Sequence, residues 1–408
     1  MDSKINLETL NDRQKIWLSQ LSYLDINELG KSRIKNGVLK VSELKDFIDN
    51  PKEPFNGNAG IGNDKFNKVA NNIFGEGKYP SKEDVINSLI NCGLGDLNIT
   101  NISLGQNSMS SGFQAITFKD SYENVGISYR GSDFDFSRGG ARDWLESDML
   151  EYFKNDSTQR KEALKYFDEN KSELGKNYLY GHSLGGNLTS HVFVENYNQI
   201  EQAFTINGNP INQKLIDTPE KVAAFNDSKK YSCNVVCGDI VSQFKSCSKY
   251  QNNINYIKNN ENMKSSPLSA HMIQASSFDK DGKFIKTDKK EQIKKMGLFA
   301  TSIMSFVQCI REFMNEISDK ITKNDQKGRN EFEQYKTDLY NNFDNMINEI
   351  NYEAKQNTDD DIMTKFHDIK EKIEQEEIEK IKLQLAQYNQ ISQFENNNNV
   401  EEIQERVR

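Results

Sequence analysis

A chain of 408 residues with a formal net charge of −9 is too acidic for nucleic acid to be its main partner. Hydrophobic residues make up 35% and charged residues 28%, a polar balance for a globular enzyme, so part of the chain is expected to be exposed helix rather than core. The five cysteines, Cys92, Cys233, Cys237, Cys247 and Cys309, are odd in number and fit no zinc spacing; they read as free thiols in a reducing compartment.

The N-terminus, Met1 to Asn6, has no apolar run and is not a Sec-type signal peptide. The most apolar stretch, Met296 to Val307, is about twelve residues long, too short to span a bilayer. Export, if it occurs, is expected to use a route without a cleaved signal.

Residues 1 to about 95 are expected to be mainly helical. Ile16, Leu18, Leu21, Leu24 and Ile26 form a broken amphipathic pattern, and Ser81-Lys82-Glu83-Asp84 has the form of an N-cap before Val85, Ile86, Leu89 and Ile90. Pro51 to Gly62 reads as a loop. From about 97 the period changes to two: 97–99, 102–104, 113–118 and 125–129 read as strands, with a hairpin turn over 119–124. Asp143 to Leu150 and Thr158 to Leu174 return to helix. Strands over 177–180, 202–207, 231–237 and 254–257 then alternate with helices over 185–198 and 219–227. That alternation predicts a largely parallel sheet covered by helices.

All six prolines lie at or before Pro267. Beyond it, stripes at Met296-Phe299-Ile303-Phe306-Ile310-Phe313-Ile317, Phe332-Tyr335-Leu339-Phe343-Met346-Ile350 and Ile362-Phe366-Ile369-Ile373, continuing at Ile378, have helical spacing. They predict three long amphipathic helices in a hairpin or bundle. The expected organisation is a helical part over 1–95, an α/β core over 96–285 and an all-α appendage over 290–408.

The chemistry concentrates at Gly181-His182-Ser183-Leu184-Gly185, between an apolar strand and a helix start. A serine that attacks a carbonyl must project from a tight strand-to-helix turn, which requires small residues two before and two after it. The helix that follows aims free N–H groups at the place where an oxyanion would form, so Leu184 N–H is a candidate donor.

A serine nucleophile needs a base and a carboxylate to orient it. There are four histidines. His182 points the opposite way from its neighbour, His191 lies roughly 12 Å along the helix, and His367 falls in the appendage. His271, in a loop after the last expected strands, remains. Among Asp217, Glu220, Asp227 and Asp239, Asp239 is favoured. It ends the apolar run Val235-Val236-Cys237-Gly238 at the C-terminal edge of a central strand, where sites in such sheets form. The second oxyanion donor is expected from Tyr129-Arg130-Gly131-Ser132, through Ser132; the alternatives are a simple strand-ending turn, or a loop that Arg130 braces by pairing with a carboxylate such as Asp143.

The set Tyr129-Arg130-Gly131-Ser132, Asp143-Trp144-Leu145, Gly181-His182-Ser183-Leu184-Gly185-Gly186, Gly238-Asp239-Ile240-Val241 and His271 resembles the lipase class 3 family of α/β-hydrolases, over roughly 95–280. The resemblance implies a triad of Ser183, Asp239 and His271, oxyanion donors at Ser132 and Leu184, and hydrolysis of lipid esters without metal or cofactor. Phe134, Phe136, Trp144, Leu145, Met149 and Leu150 are candidates for a lid or acyl-chain wall, with core packing as the alternative for Trp144 and Leu145. A lipase domain followed by long amphipathic helices also resembles type VII secreted lipase effectors of bacteria. In those, the helices serve export and bind a small helical chaperone.

The expected function is a lipase or phospholipase A acting on a lipid or acyl-ester substrate, with contact to a membrane surface. One alternative is a carboxylesterase or thioesterase on the same fold, cytoplasmic if not exported. Another is a hydrolase scaffold without activity whose helices over 290–408 bind a partner.

Overall fold

The N-terminal segment folds into helices whose starts are written in the sequence. In a computed structural model that describes residues 5–37, 39–52, 81–104, 113–131, 158–208, 211, 215–239, 242, 254–260, 270–288 and four isolated positions up to 348, α1 spans Asp12–Leu21, α2 Glu28–Lys35 and α3 Lys82–Asn91. Asn11 and Gln14 form a capping box at the start of α1, and Ser81 and Asp84 form another at α3, where the N-cap was expected.

Among the described residues, nine strands form one sheet in the order of the chain: β1 Leu39–Lys40, β2 Asn98–Leu104, β3 Gln114–Lys119, β4 Val125–Tyr129, β5 Asn177–His182, β6 Gln202–Ile206, β7 Tyr231–Val236, β8 Ile254–Ile257 and β9 Lys286–Thr287. β4 to β8 pair parallel, as the strand–helix alternation requires. The other pairs are antiparallel. At β3–β4 the reason is length, because residues 120–124 are too few for a crossover. The Asp120 carboxylate closes that turn by accepting the N–H groups of Tyr122 and Asn124.

Helices α4 (Thr158–Asn170), α5 (Leu184–Asn196) and α6 (Pro219–Asn226) connect the parallel strands. When sequential parallel strands step in one direction, right-handed crossovers put every connecting helix on the same face. The core follows this rule. Phe167 of α4, Leu188, Val192 and Phe193 of α5 and Phe225 of α6 pack with Val125, Ile127, Leu179, Ala203 and Val235.

The opposite face needs another cover, and the N-terminal helices supply it. Leu18 and Leu21 of α1, Ile34 of α2 and Leu89 of α3 share a cluster with Phe118, Tyr178, Tyr180, Phe204 and Ile206. Successive residues of β5 therefore serve different layers, Tyr178 and Tyr180 one and Leu179 the other. Full burial of an apolar side chain such as Leu179 or Phe204 contributes about 1.5–3 kcal/mol. The strand-edge segment 270–288 is tied to this N-terminal layer: Arg13 N–H donates to the Gly282 carbonyl at 2.9 Å, and Phe284 N–H donates to Asp12 Oδ2 at 2.9 Å.

The amphipathic stripes expected to build an appendage over 290–408 lie outside the described residues, as do the expected helix over 143–150 and the lid candidates. Among the described residues, no helix is long and apolar enough to cross a membrane.

Candidate active site

The centre of the site is the turn between β5 and α5. Ser183 sits there at φ 57° and ψ −130°, a conformation that costs a non-glycine residue about 1–3 kcal/mol. Its backbone is held from both sides. Ser183 N–H donates to the Ile206 carbonyl at 3.2 Å, and the Ser183 carbonyl accepts Gly186 N–H at 2.9 Å and Asn187 N–H at 3.3 Å. The flanking glycines are dictated by contact. A Cβ on Gly181 would lie 2.2 Å from the Gly185 carbonyl oxygen, and one on Gly185 would lie 2.1 Å from that of Tyr129.

Ser183 Oγ lies 3.0 Å from His271 Nε2, and His271 Nδ1 lies 2.8 Å from Asp239 Oδ1. A carboxylate only accepts, so the Nδ1 proton donates to Asp239 and Nε2 is left to accept from the Ser183 hydroxyl. Asp239 follows β7 and Gly238, whose φ of 96° turns the chain sharply. Its second oxygen accepts Ser242 N–H at 3.1 Å. Ser183 is 2% exposed and both partners are fully buried, so charge developing there interacts through little water.

Leu184 opens α5, and its N–H has no carbonyl one turn earlier to receive it. Ser132 lies outside the described residues. The turn leading to it abuts Ser183, since a Cβ on Gly131 would stand 3.1 Å from Ser183 Cβ. Arg130 does brace that turn, by hydrogen bonding to Gln114 Oε1 and lying 3.9 Å from Asp25. Asp143, the carboxylate expected for it, is outside the described residues.

The other candidates fall elsewhere. Asp217 pairs with Lys221 at 3.1 Å, Asp227 accepts Lys229 N–H, and Glu220 lies in the first turn of α6. His191 is buried within α5, where desolvation, with Arg160 and Lys221 nearby, lowers its pKa to about 4. Cys92 is half-buried, and Cys233 and Cys237 are buried.

Sequence reasoning missed Asn207, which was read only as the end of a strand. It stands at φ 49°, fully buried, beside the site. Its Nδ2 donates to the carbonyls of Ala270 (3.1 Å) and His271 (2.9 Å), while its Oδ1 accepts Val236 N–H at 2.8 Å. One side chain thus ties the His271 segment to the strand that delivers Asp239. The only local signal was an asparagine before Gly208, a pair that tolerates left-handed backbone.

A nine-stranded α/β sheet with a serine on a strained strand-to-helix turn, hydrogen-bonded in series to an imidazole and a carboxylate, defines a protein of the hydrolase type in form. The chain belongs to the Mbeg1-like family, a lipase-like group, whose model matches residues 96–324, just over half of it. No curated protein and no solved structure matches it.

Proposed function

We propose that this chain is a serine hydrolase that cleaves lipid acyl esters, of the lipase or phospholipase A kind. The observation that carries the reading is the Ser183–His271–Asp239 series at 3.0 and 2.8 Å on a strained strand-to-helix turn. Ser183 Oγ attacks the acyl carbonyl as His271 Nε2 takes its proton. Asp239 holds the ring in the Nδ1–H tautomer and stabilises the imidazolium. The N–H groups of Leu184 and Ser132 receive the oxyanion. His271 then protonates the leaving alcohol, and a water activated by the same nitrogen releases the acid.

Lipid as the substrate class is supported by the lipase-like family and by the motif set around Ser183. The helical stripes beyond residue 290 support export by a type VII-like route with a small helical chaperone. Co-expression of the full chain with a candidate helical partner, followed by size-exclusion chromatography, tests that part separately.

The test of the activity compares wild type with Ser183→Ala on phospholipid vesicles and on a short-chain ester. Fatty-acid release from vesicles that vanishes in the variant supports the lipase reading, and release from the short ester alone moves the assignment to a carboxylesterase or thioesterase. Equal rates in both proteins, with no fluorophosphonate labelling of Ser183, refute it in favour of a binding scaffold.

A further inference from the structure

The general base must be held to within a fraction of an ångström, and its own backbone carbonyl is where the hold is applied. The His271 carbonyl oxygen receives Asn207 Nδ2–H at 2.9 Å and lies 2.9 Å from His182 Nε2. A carbonyl offers no proton, so His182 Nε2 must donate to it. The lone pair of the neutral ring is then at Nδ1, 3.3 Å from the Tyr23 hydroxyl, whose single proton is shared between that nitrogen and the His182 carbonyl. The same hydroxyl is 3.3 Å from the His182 carbonyl. Burial lowers the His182 pKa to about 3, so the ring stays neutral in the working range; the His271 carbonyl at Nε2 sets its tautomer, and the Tyr23 hydroxyl stands beside the remaining lone pair.

Tyr23 follows α1, outside the stretch that the family model matches. Its placement is specific to the site. A Cβ on Gly131 would lie 2.2 Å from the Tyr23 oxygen, so the glycine of the Arg130-Gly131-Ser132 turn leaves the space that this hydroxyl fills. One phenol therefore touches the oxyanion-side turn, the nucleophile turn and the ring that holds the base. The His182 and His271 rings lie 4.8 Å apart, so a shift of one is transmitted to the other.

We propose that His182 is a positioning residue for the general base, pinning the His271 backbone through Nε2–H, and that the Tyr23 hydroxyl beside Nδ1 favours the tautomer which makes this donor available. The inference rests on the serine-hydrolase reading of the same site. A displacement near 1 Å of the base costs about 10²-fold in rate, and substrate binding does not depend on it. Glutamine places its amide nitrogen where His182 Nε2 stands, whereas asparagine is too short and reaches only the Nδ1 position.

The experiment compares the full chain as wild type, His182→Gln, His182→Asn and Tyr23→Phe. It reads kcat and KM on a short-chain ester, the rate of fluorophosphonate labelling, and the imidazole ¹⁵N spectrum. The expected result is a kcat about 10²-fold lower for His182→Asn with KM within about twofold, most of the rate restored by His182→Gln, and an intermediate loss for Tyr23→Phe. The wild-type spectrum should show His182 as the Nε2–H tautomer, with the Nδ1–H form appearing in Tyr23→Phe. An active wild type with an indifferent His182→Asn, or with His182 in the Nδ1–H form, overturns the positioning role alone. Should His182→Asn fail to fold, the Tyr23→Phe rate and the wild-type tautomer decide the matter in the same way. A wild type inert to both ester and probe overturns the hydrolase reading and this role with it.

Discussion

Asn207→Ala separates the two demands that the structure makes at that position. The substitution leaves Val236 N–H buried without its acceptor, which costs about 1–3 kcal/mol, and removes a donor from two carbonyls, of which His271 keeps His182. It also places an ordinary residue at φ 49°, which costs about 1–2 kcal/mol more. The sum, about 2–5 kcal/mol, is a large fraction of the 5–15 kcal/mol that holds a domain folded. Asn207→Gly removes the same hydrogen bonds but not the backbone freedom, so it should be the less damaging of the two by about 1 kcal/mol. Urea unfolding followed by far-UV circular dichroism measures both. Asn207→Ala within 1 kcal/mol of wild type, or glycine less stable than alanine, would refute the reasoning.

Other consequences are as direct. Asp239→Asn should lower kcat about 10³–10⁴-fold while Ser183 stays in place, because the amide favours the wrong His271 tautomer; a rate within tenfold of wild type would exclude Asp239 from the triad. Gly185→Ala drives a Cβ to 2.1 Å from the Tyr129 carbonyl oxygen and should cost about 3 kcal/mol or more, read as a lower Tm in calorimetry. His182 and His191 have pKa values lowered to about 3 and about 4 from an unfolded value near 6.5, so between these limits the unfolded chain binds more protons than the folded one. Stability is then full above pH 6.5 and falls as the pH drops, by about 2 kcal/mol per histidine between pH 7 and 5. A urea midpoint constant over that range would contradict their burial as neutral rings. A chain beginning at residue 96 should lack cooperative unfolding and bind ANS, because Tyr180 and Phe204 lose their cover; a sharp thermal transition would show that the sheet does not need that layer.

What the sequence revealed followed from how local each signal is. Gly-x-Ser-x-Gly carries its own geometry, since both glycines answer contacts within the turn and the adjoining strand. His271 emerged because so few histidines compete, and Asp239 because it closes an apolar strand. Non-local relations were invisible. β1 and β9 are two residues long, too short for any period, and exist only by pairing with β2 and β8. His182 was set aside because it points away from Ser183. It does, but toward the His271 carbonyl, a partner that no spacing along the chain reveals. The same holds for Tyr23, whose role depends on helices from one end of the chain covering strands from its middle.

That layering imposes an order on synthesis. Leu18 and Leu21 leave the ribosome long before the strand that carries Tyr178 and Tyr180, and at 5–20 residues per second the wait is on the order of 10–30 s. Throughout it the first helices have an apolar side and only the earlier strands β1 to β4 of their sheet to dock on. The nascent chain therefore offers a cytosolic holding factor a fixed window. Tyr23 of the earliest-made segment meets His182 only when those helices close over the sheet.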